Sequence, residues 1–477
     1  MNEMKENMLE KANAFIASNS ETVNPRYRPR FHATAPVGWI NDPNGFFYDG
    51  AWYHLFYQHY PYEARWNDMH WGHWRTRDLA GWENMPVVMA PDQAYDESGC
   101  FSGSAVPDGR GGAHILYTGV SRNHTLQQQC YAHFDGEKVT KRETNPVIPF
   151  ELLPDGYRAN DFRDPCLMRT ENGYMAVMAA KSREGGRLVS FSSPDMKTWK
   201  YENVFCVTEG IMPECPDVLT VDGKTAVLYS CVEEKERLAE RGRPVLYALG
   251  SLSDDGSVFT PETWRRVDHG REFYAAQTCE GEKGERIIIG WMASWDTEYP
   301  TVPLNHGWSG MMSLPRVLHR DGSRLNQKPA EGLTRLRGEK TCLTAELNRN
   351  GAALRGIGLK HGEIRFQADV SDASSVTLNV MEDAGERVSL TWHKNTLTLN
   401  REHVKVSRNC FVPEVHMPLY AMEGRIDMTV YVDGCSVEVF AGGEVMSALA
   451  FPEGDAYDVS VEAAGKAFVK AECWKMR

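Results

Sequence analysis

Three short segments set a carboxylate beside proline in a way that suits chemistry. In Trp39-Ile40-Asn41-Asp42-Pro43-Asn44-Gly45 a carboxylate lies between two amides. Pro43 fixes its own φ and biases Asp42 towards an extended conformation, while Asn44-Gly45 is a turn signal. The carboxylate is thereby held on a rigid backbone, as a nucleophile must be. An Asx-turn in which Asp42 only caps its own backbone fits the same string. Trp39 and Asn41 argue instead for a carbohydrate site, where an aromatic platform stands beside carboxylates and amides. In Asp161-Phe162-Arg163-Asp164-Pro165 a second proline-braced carboxylate follows an arginine. That pair is either a structural ion pair or a grip on vicinal hydroxyls. In Met212-Pro213-Glu214-Cys215-Pro216-Asp217 a glutamate stands between two prolines ahead of the apolar run Val218-Leu219. It reads as a general acid or as a surface turn.

The elements that must carry these segments are strands. From about Arg28 to Leu325, short aromatic or β-branched runs alternate with Gly, Pro, Asp and Asn clusters. Five runs look alike: HLFYQH from His54, HILYTGV from His114, YMAVMAAKS from Tyr174, TAVLYSC from Thr225 and RIIIGWMAS from Arg286. A second element recurs with them. Thr76, Asp78 and Trp82 share their spacing with Ser193, Asp195 and Trp199, and Ser253, Asp255 and Trp264 form a looser version. Repeated units with an aromatic anchor are how a β-propeller hides its edges, so a five-bladed propeller is expected over residues 28–325. Residues 326–342 turn polar and charged, which predicts a linker or short connecting helix. Over 343–477, segments such as EIRFQADV, RVSLTWHK and SVEVFAGG alternate apolar and polar residues, the pattern of a β-sandwich. Residues 1–27 form an extension in which Met4, Met8, Leu9, Ala12, Phe15 and Ile16 fall at helical spacing. The fold class is therefore all-β, a propeller followed by a sandwich.

Bulk properties narrow the partners. The formal charge of -13, from 52 Lys plus Arg against 65 Asp plus Glu, repels phosphate backbones and anionic lipid. Neither nucleic acid nor a membrane is expected as a partner, and no stretch is apolar for long enough to span a bilayer. A small, neutral or weakly charged substrate fits. The eleven cysteines are scattered without metal-site spacing, and the acidic N-terminus lacks an export signal. A cytoplasmic protein with reduced thiols is expected. His54, His59, His70 and His73 are interleaved with aromatic residues in strand-like runs, so they read as packed histidines, and no metal or cofactor is expected. The sequence sets no oligomeric state.

Taken together and in order, WINDPNG, FRDP and ECPD closely resemble the three signatures of glycoside hydrolase family 32, which includes invertases, fructanases and sucrose-6-phosphate hydrolases. GCFSGSA, EFYAAQT around Tyr274, GWMASW from Gly290, SLPR from Ser313 and VDGCSVEVF from Val432 add to the likeness. The resemblance implies a five-bladed propeller joined to a sandwich. It also implies a retaining β-fructofuranosidase acting on sucrose, sucrose 6-phosphate or short fructooligosaccharides, without choosing among them or between hydrolysis and transfer. By position, Asp42 is then the nucleophile, Glu214 the acid/base and Asp164 the transition-state stabiliser. Asn41, Gln58, Trp66, Phe101, Ser102, Arg163 and Tyr274 are expected to line the fructose subsite. Ile40 and Glu272 depart from the usual residues, at positions expected to lie outside the chemistry. The alternative is a non-catalytic fructan-binding protein of the same fold.

Overall fold

The structure is a computed structural model that describes residues 7–233, 235, 237, 238 and 242–477. Five antiparallel sheets of at least four strands follow one another along the chain. The first strands of the five are Gly38–Tyr48, Cys100–Pro107, Tyr157–Thr170, Met212–Val221 and Tyr274–Glu280. Each packs against the next, and the fifth returns to the first, so the sheets form the blades of a closed five-bladed propeller. The five look-alike runs of the sequence are the second strands: Tyr53–Tyr60, Ala113–Ser121, Gly173–Ser182, Lys224–Val232 and Arg286–Trp291. They are almost wholly buried because a second strand is covered by neighbouring blades on both faces, which is why apolar residues run through them without strict alternation.

The recurrent Thr/Ser-x-Asp element is the turn from third to fourth strand. Asp78 Oδ1 accepts the backbone N–H groups of Ala80 and Gly81, each at 3.0 Å. Asp195 does the same for Lys197 and Thr198 at 2.9 and 3.1 Å. In the looser third copy, Asp255 accepts from Ser257 N–H at 3.0 Å. Closure of the ring is chain-crossed: Trp308–Ser309, inserted between the second and third strands of the fifth blade, pairs in parallel with Gly38 and Trp39 of the first. Helix Met8–Asn19 covers the outer edge of the first blade, where Asn13 accepts from Val87 N–H at 2.8 Å and donates to its carbonyl at 3.2 Å. That contact satisfies an otherwise open strand edge. Met4, placed by its spacing on the same helix, lies outside the described residues.

The connection to the second unit is shorter than its polarity predicts. Arg324–Pro329, at the start of the expected linker, is the last strand of the fifth blade, and Arg337–Asn348 is already the first strand of the C-terminal sheet. Only a 3-10 helix, Glu331–Leu336, and its flanking residue intervene. The charged composition misleads here because Leu325 and Gln327 alternate inward while their polar neighbours face out. The ten-stranded C-terminal sheet is organised around two long paired strands, His361–Asp383 and Asp458–Met476, and folds over a sandwich core that includes Ile364, Phe366, Leu378, Leu390, Leu399, Val430 and Val439.

A buried polar cluster joins the two units. Arg316 donates to Asp268 at 2.8 Å, to Glu438 at 2.5 Å and to the Ser447 hydroxyl at 2.7 Å. The His32 ring bonds Asp433 at 2.8 Å and Glu438 at 2.9 Å. Burial works against a charged His32, but the two carboxylates outweigh it and raise its pKa to about 9.

Candidate active site

Each of the five first strands slips register with its neighbour beside residues that line one cavity. The slips lie between Ile40 and Pro43, Phe101 and Gly103, Arg163 and Cys166, Glu214 and Asp217, and Tyr274 and Gln277. In three of them the cause is legible: Pro43, Pro165 and Pro216 have no N–H to give to a ladder. A bulge bends the strand and re-aims its side chains. Asp164, Cys215 and Ala275 adopt φ of 59°, 46° and 52°, the left-handed region that side chains usually avoid. Local conformational energy is thus given up where the three proline-braced motifs meet.

The result is a cavity of about 440 Å³, within the usual range for small-molecule sites. All ten residues singled out in the sequence line it: Asn41, Asp42, Gln58, Trp66, Phe101, Ser102, Arg163, Asp164, Glu214 and Tyr274. Asp42 accepts hydrogen bonds from Ser102 Oγ at 2.5 Å, Asn41 Nδ2 at 3.0 Å and the Cys215 thiol at 3.3 Å. Its pKa is raised by burial and by the Glu214 charge, against the pull of those donors. Asp164 accepts from Cys215 N–H at 3.0 Å, with Arg163 Nε 3.6 Å away. Burial pushes its pKa up to about 7; Arg163 opposes the shift, and the charges of Asp42 and Glu214 add to it. Glu214 accepts from Arg163 Nη2 at 2.8 Å and from the Tyr274 hydroxyl. Arg163 also reaches Asp161 and Gln127, each at 3.3 Å.

Neutral groups shape the remaining wall. Trp39 Nε1 donates to Asn41 Oδ1 at 2.8 Å, which fixes the amide that supports Asp42. Gln58 Nε2 donates to Cys100 O at 3.0 Å. Trp66, 40 % exposed, stands edge-on to Phe101, and Trp295, 38 % exposed, packs on Trp39 and Trp291. These two half-exposed indoles give the cavity flat apolar faces.

Five more residues line the cavity beyond those expected from the sequence: His124, Gln127, Asn160, Asp161 and Trp295. Asn160 and Asp161 immediately precede FRDP and Trp295 ends GWMASW, so motif context held their signal. His124 and Gln127 lie in and just after the turn between second and third strands of the second blade, where no local pattern marks them. The four histidines of the first blade's second and third strands are packed and bonded. His54 meets His73 at 3.0 Å and Asp49 at 3.0 Å, His59 meets Trp39 O at 2.8 Å, and His70 meets Asp68 O at 3.1 Å. Burial lowers the pKa of all four, so each is neutral near pH 7.

Comparison with known proteins agrees with this architecture. Residues 32–329 match the profile described as the N-terminal domain of glycosyl hydrolases family 32, and residues 332–475 match that family's C-terminal profile. The sucrose-6-phosphate hydrolase of Salmonella typhimurium is 32% identical over 441 residues, covering 89% of this chain and 88% of that protein. The levanase of Bacillus subtilis is 30% identical, covering 92% and 68%. The solved structure of a Bombyx mori β-fructofuranosidase superposes with a TM-score of 0.85 at 29% identity, over 99% of both chains. Two profiles in tandem, spanning nearly the whole chain, place this protein in glycoside hydrolase family 32.

Proposed function

We propose that the protein is a retaining β-fructofuranosidase that hydrolyses the terminal β-D-fructofuranosyl bond of sucrose, sucrose 6-phosphate or short fructooligosaccharides. The observation that carries this reading is the meeting of Asp42, Asp164 and Glu214, from three different blades, in one cavity. Asp42 attacks the anomeric carbon as Glu214 gives its proton to the leaving oxygen, forming a fructosyl ester and a free sugar. Water then attacks the ester, Glu214 takes back a proton, and fructose leaves with its configuration retained. Ser102, Asn41 and Cys215 each donate to Asp42, which fixes the oxygens of the attacking carboxylate. Asp164, with Asn41, Gln58 and Arg163, grips the fructose hydroxyls, and Trp66 and Phe101 flank the ring. The names of the Salmonella and Bacillus relatives support sucrose 6-phosphate and fructan as the substrate range.

The decisive experiment measures release of reducing sugar from sucrose and kestose by the wild-type protein and by Asp42→Asn. Wild-type turnover with loss of nearly all activity in the variant is expected. Near-wild-type turnover by the variant refutes the assignment, and fructan binding without release of fructose by the wild type favours the non-catalytic alternative. We further propose that helix Met8–Asn19 acts as a brace, that the propeller holds the chemistry and that the protein works in the cytoplasm. Buried, reduced thiols such as Cys100, Cys130, Cys166 and Cys215 support a reducing compartment. Among the described residues no helix is long and apolar enough to cross a membrane.

A further inference from the structure

The segment that delivers Tyr274 to the cavity is built largely on the C-terminal sandwich. Asp268 accepts from the backbone N–H and the hydroxyl of Ser447 at 2.9 and 2.8 Å. The His269 N–H donates to Val445 O at 2.9 Å, and its ring meets Glu444 at 3.0 Å. Gly270 passes so close that a Cβ there would sit 1.8 Å from Ser447 O. Glu272, 2% exposed, is held by both terminal nitrogens of Arg401, at 2.8 and 3.0 Å. Arg401 comes from the sandwich and is itself anchored: its Nε donates to Val412 O at 2.9 Å and its Nη1 to Leu449 O at 2.8 Å. Two residues after Glu272, the Tyr274 hydroxyl donates to Glu214.

We infer that Arg401 is a positioning residue for proton transfer by Glu214, acting through Glu272 and Tyr274. The inference rests on the acid/base role proposed for Glu214, and it gives the sandwich a part in the reaction. A planar guanidinium with a two-point hold on a buried carboxylate fixes both distance and direction. Tyr274 follows with only Phe273 between, and Phe273 is pinned beneath the Arg316 guanidinium, 4.3 Å from its ring centre. The tyrosine hydroxyl is therefore located by the sandwich, and it sets the orientation of the glutamate that must give and take the proton. Glu272, expected from its sequence context to lie outside the chemistry, is the coupling point.

The test compares kcat/KM for sucrose, whose leaving oxygen needs a proton, with 4-nitrophenyl β-D-fructofuranoside, whose leaving group does not. In the full-length Arg401→Lys and Glu272→Gln proteins, sucrose cleavage falls about ten- to a hundredfold, whereas the nitrophenyl substrate changes by about threefold or less. Tyr274→Phe gives the same pattern, and adding Arg401→Lys to it costs little more, because both act on one path. The Arg401→Met, Glu272→Met double variant removes both charges together, which buried pairs tolerate, so it folds and shows the same selectivity. Wild-type-like kinetics, equal losses on both substrates, or losses that multiply with that of Tyr274→Phe overturn the inference. Absence of cleavage by the wild-type protein would instead refute the proposed function.

Discussion

Replacing Asp164 by Asn should stabilise the protein while disabling it, and the gain should depend on pH in a defined way. The Asp164 carboxyl titrates near 7 in the folded chain against 3.8 for an unperturbed group. Between those values the folded state holds a proton that the unfolded state has lost, so the wild type loses stability as pH rises from about 4 to about 7. The difference of about 3 pH units, at 1.36 kcal/mol per unit, is on the order of 4 kcal/mol. Asparagine cannot ionise, has nearly the same shape, and its Oδ1 can still accept from Cys215 N–H. It forfeits only the 3.6 Å approach of Arg163, which keeps Glu214 and Asp161 as partners. With roughly 2 cal/mol/K of unfolding entropy per residue, Asp164→Asn should melt about 4 °C above wild type at pH 8 and level with it at pH 4. Paired melting curves in fructose-free buffer across that range measure the gap directly. Activity on sucrose should fall by about a hundredfold or more, since a charge aimed at the transition state is gone. A melting difference that is constant with pH, or a variant less stable than wild type at pH 8, refutes the electrostatic account of the site.

Three further outcomes follow from the same geometry. Glu214→Gln should slow sucrose cleavage about 10²- to 10⁴-fold but spare 4-nitrophenyl β-D-fructofuranoside in single-turnover assays, and added azide should restore turnover. His32→Gln should cost most stability below pH 6.5 and progressively less as pH rises through about 9, because the raised His32 pKa stabilises only while the ring is charged. The full effect is on the order of 3 kcal/mol, read as the pH dependence of urea midpoints. Sucrose and kestose should be cleaved with kcat/KM at least equal to that for sucrose 6-phosphate. Arg163, the one Arg or Lys lining the cavity among the described residues, is already engaged by three carboxylates.

What could be read from the chain alone follows the range of the interactions involved. The second strands are legible because burial on both faces demands continuous apolar runs such as Ala226–Leu228 and Ile287–Ile289. The turn at Thr76 and Asp78 is legible because its hydrogen bonds close within five residues. Asp42 and Asp164 are marked by the prolines that follow them, and Glu214 by Pro213 and Pro216. Contacts made across the fold leave no such trace. Arg401 and Glu272 are 129 residues apart, and neither local string hints at the other. The bonding of Arg316 to Glu438, from two segments that strengthened the family resemblance, is likewise invisible until the two units pack. Gln327 looks like linker because its neighbours are charged, although its side chain turns inward to the Val267 carbonyl.

The charge balance of the cavity links these features to catalysis. Asp42, Asp161, Asp164 and Glu214 line it, against the guanidinium of Arg163. In a free protein such crowding is unfavourable: burial is the larger cause of the raised pKa values of Asp42 and Asp164, and the neighbouring carboxylate charges add to it. A neutral sugar relieves little of that repulsion, but in the proposed reaction an oxocarbenium-like transition state would place positive charge among the carboxylates and relieve much of it. The interaction thus strengthens on the way to the transition state, which is the condition for raising turnover and not merely binding. It works only if the carboxylates cannot move apart when the substrate is absent. The first strands of the blades provide that restraint: bulged beside the cavity, braced by Pro43, Pro165 and Pro216, and closed into a ring from which no blade can retreat alone.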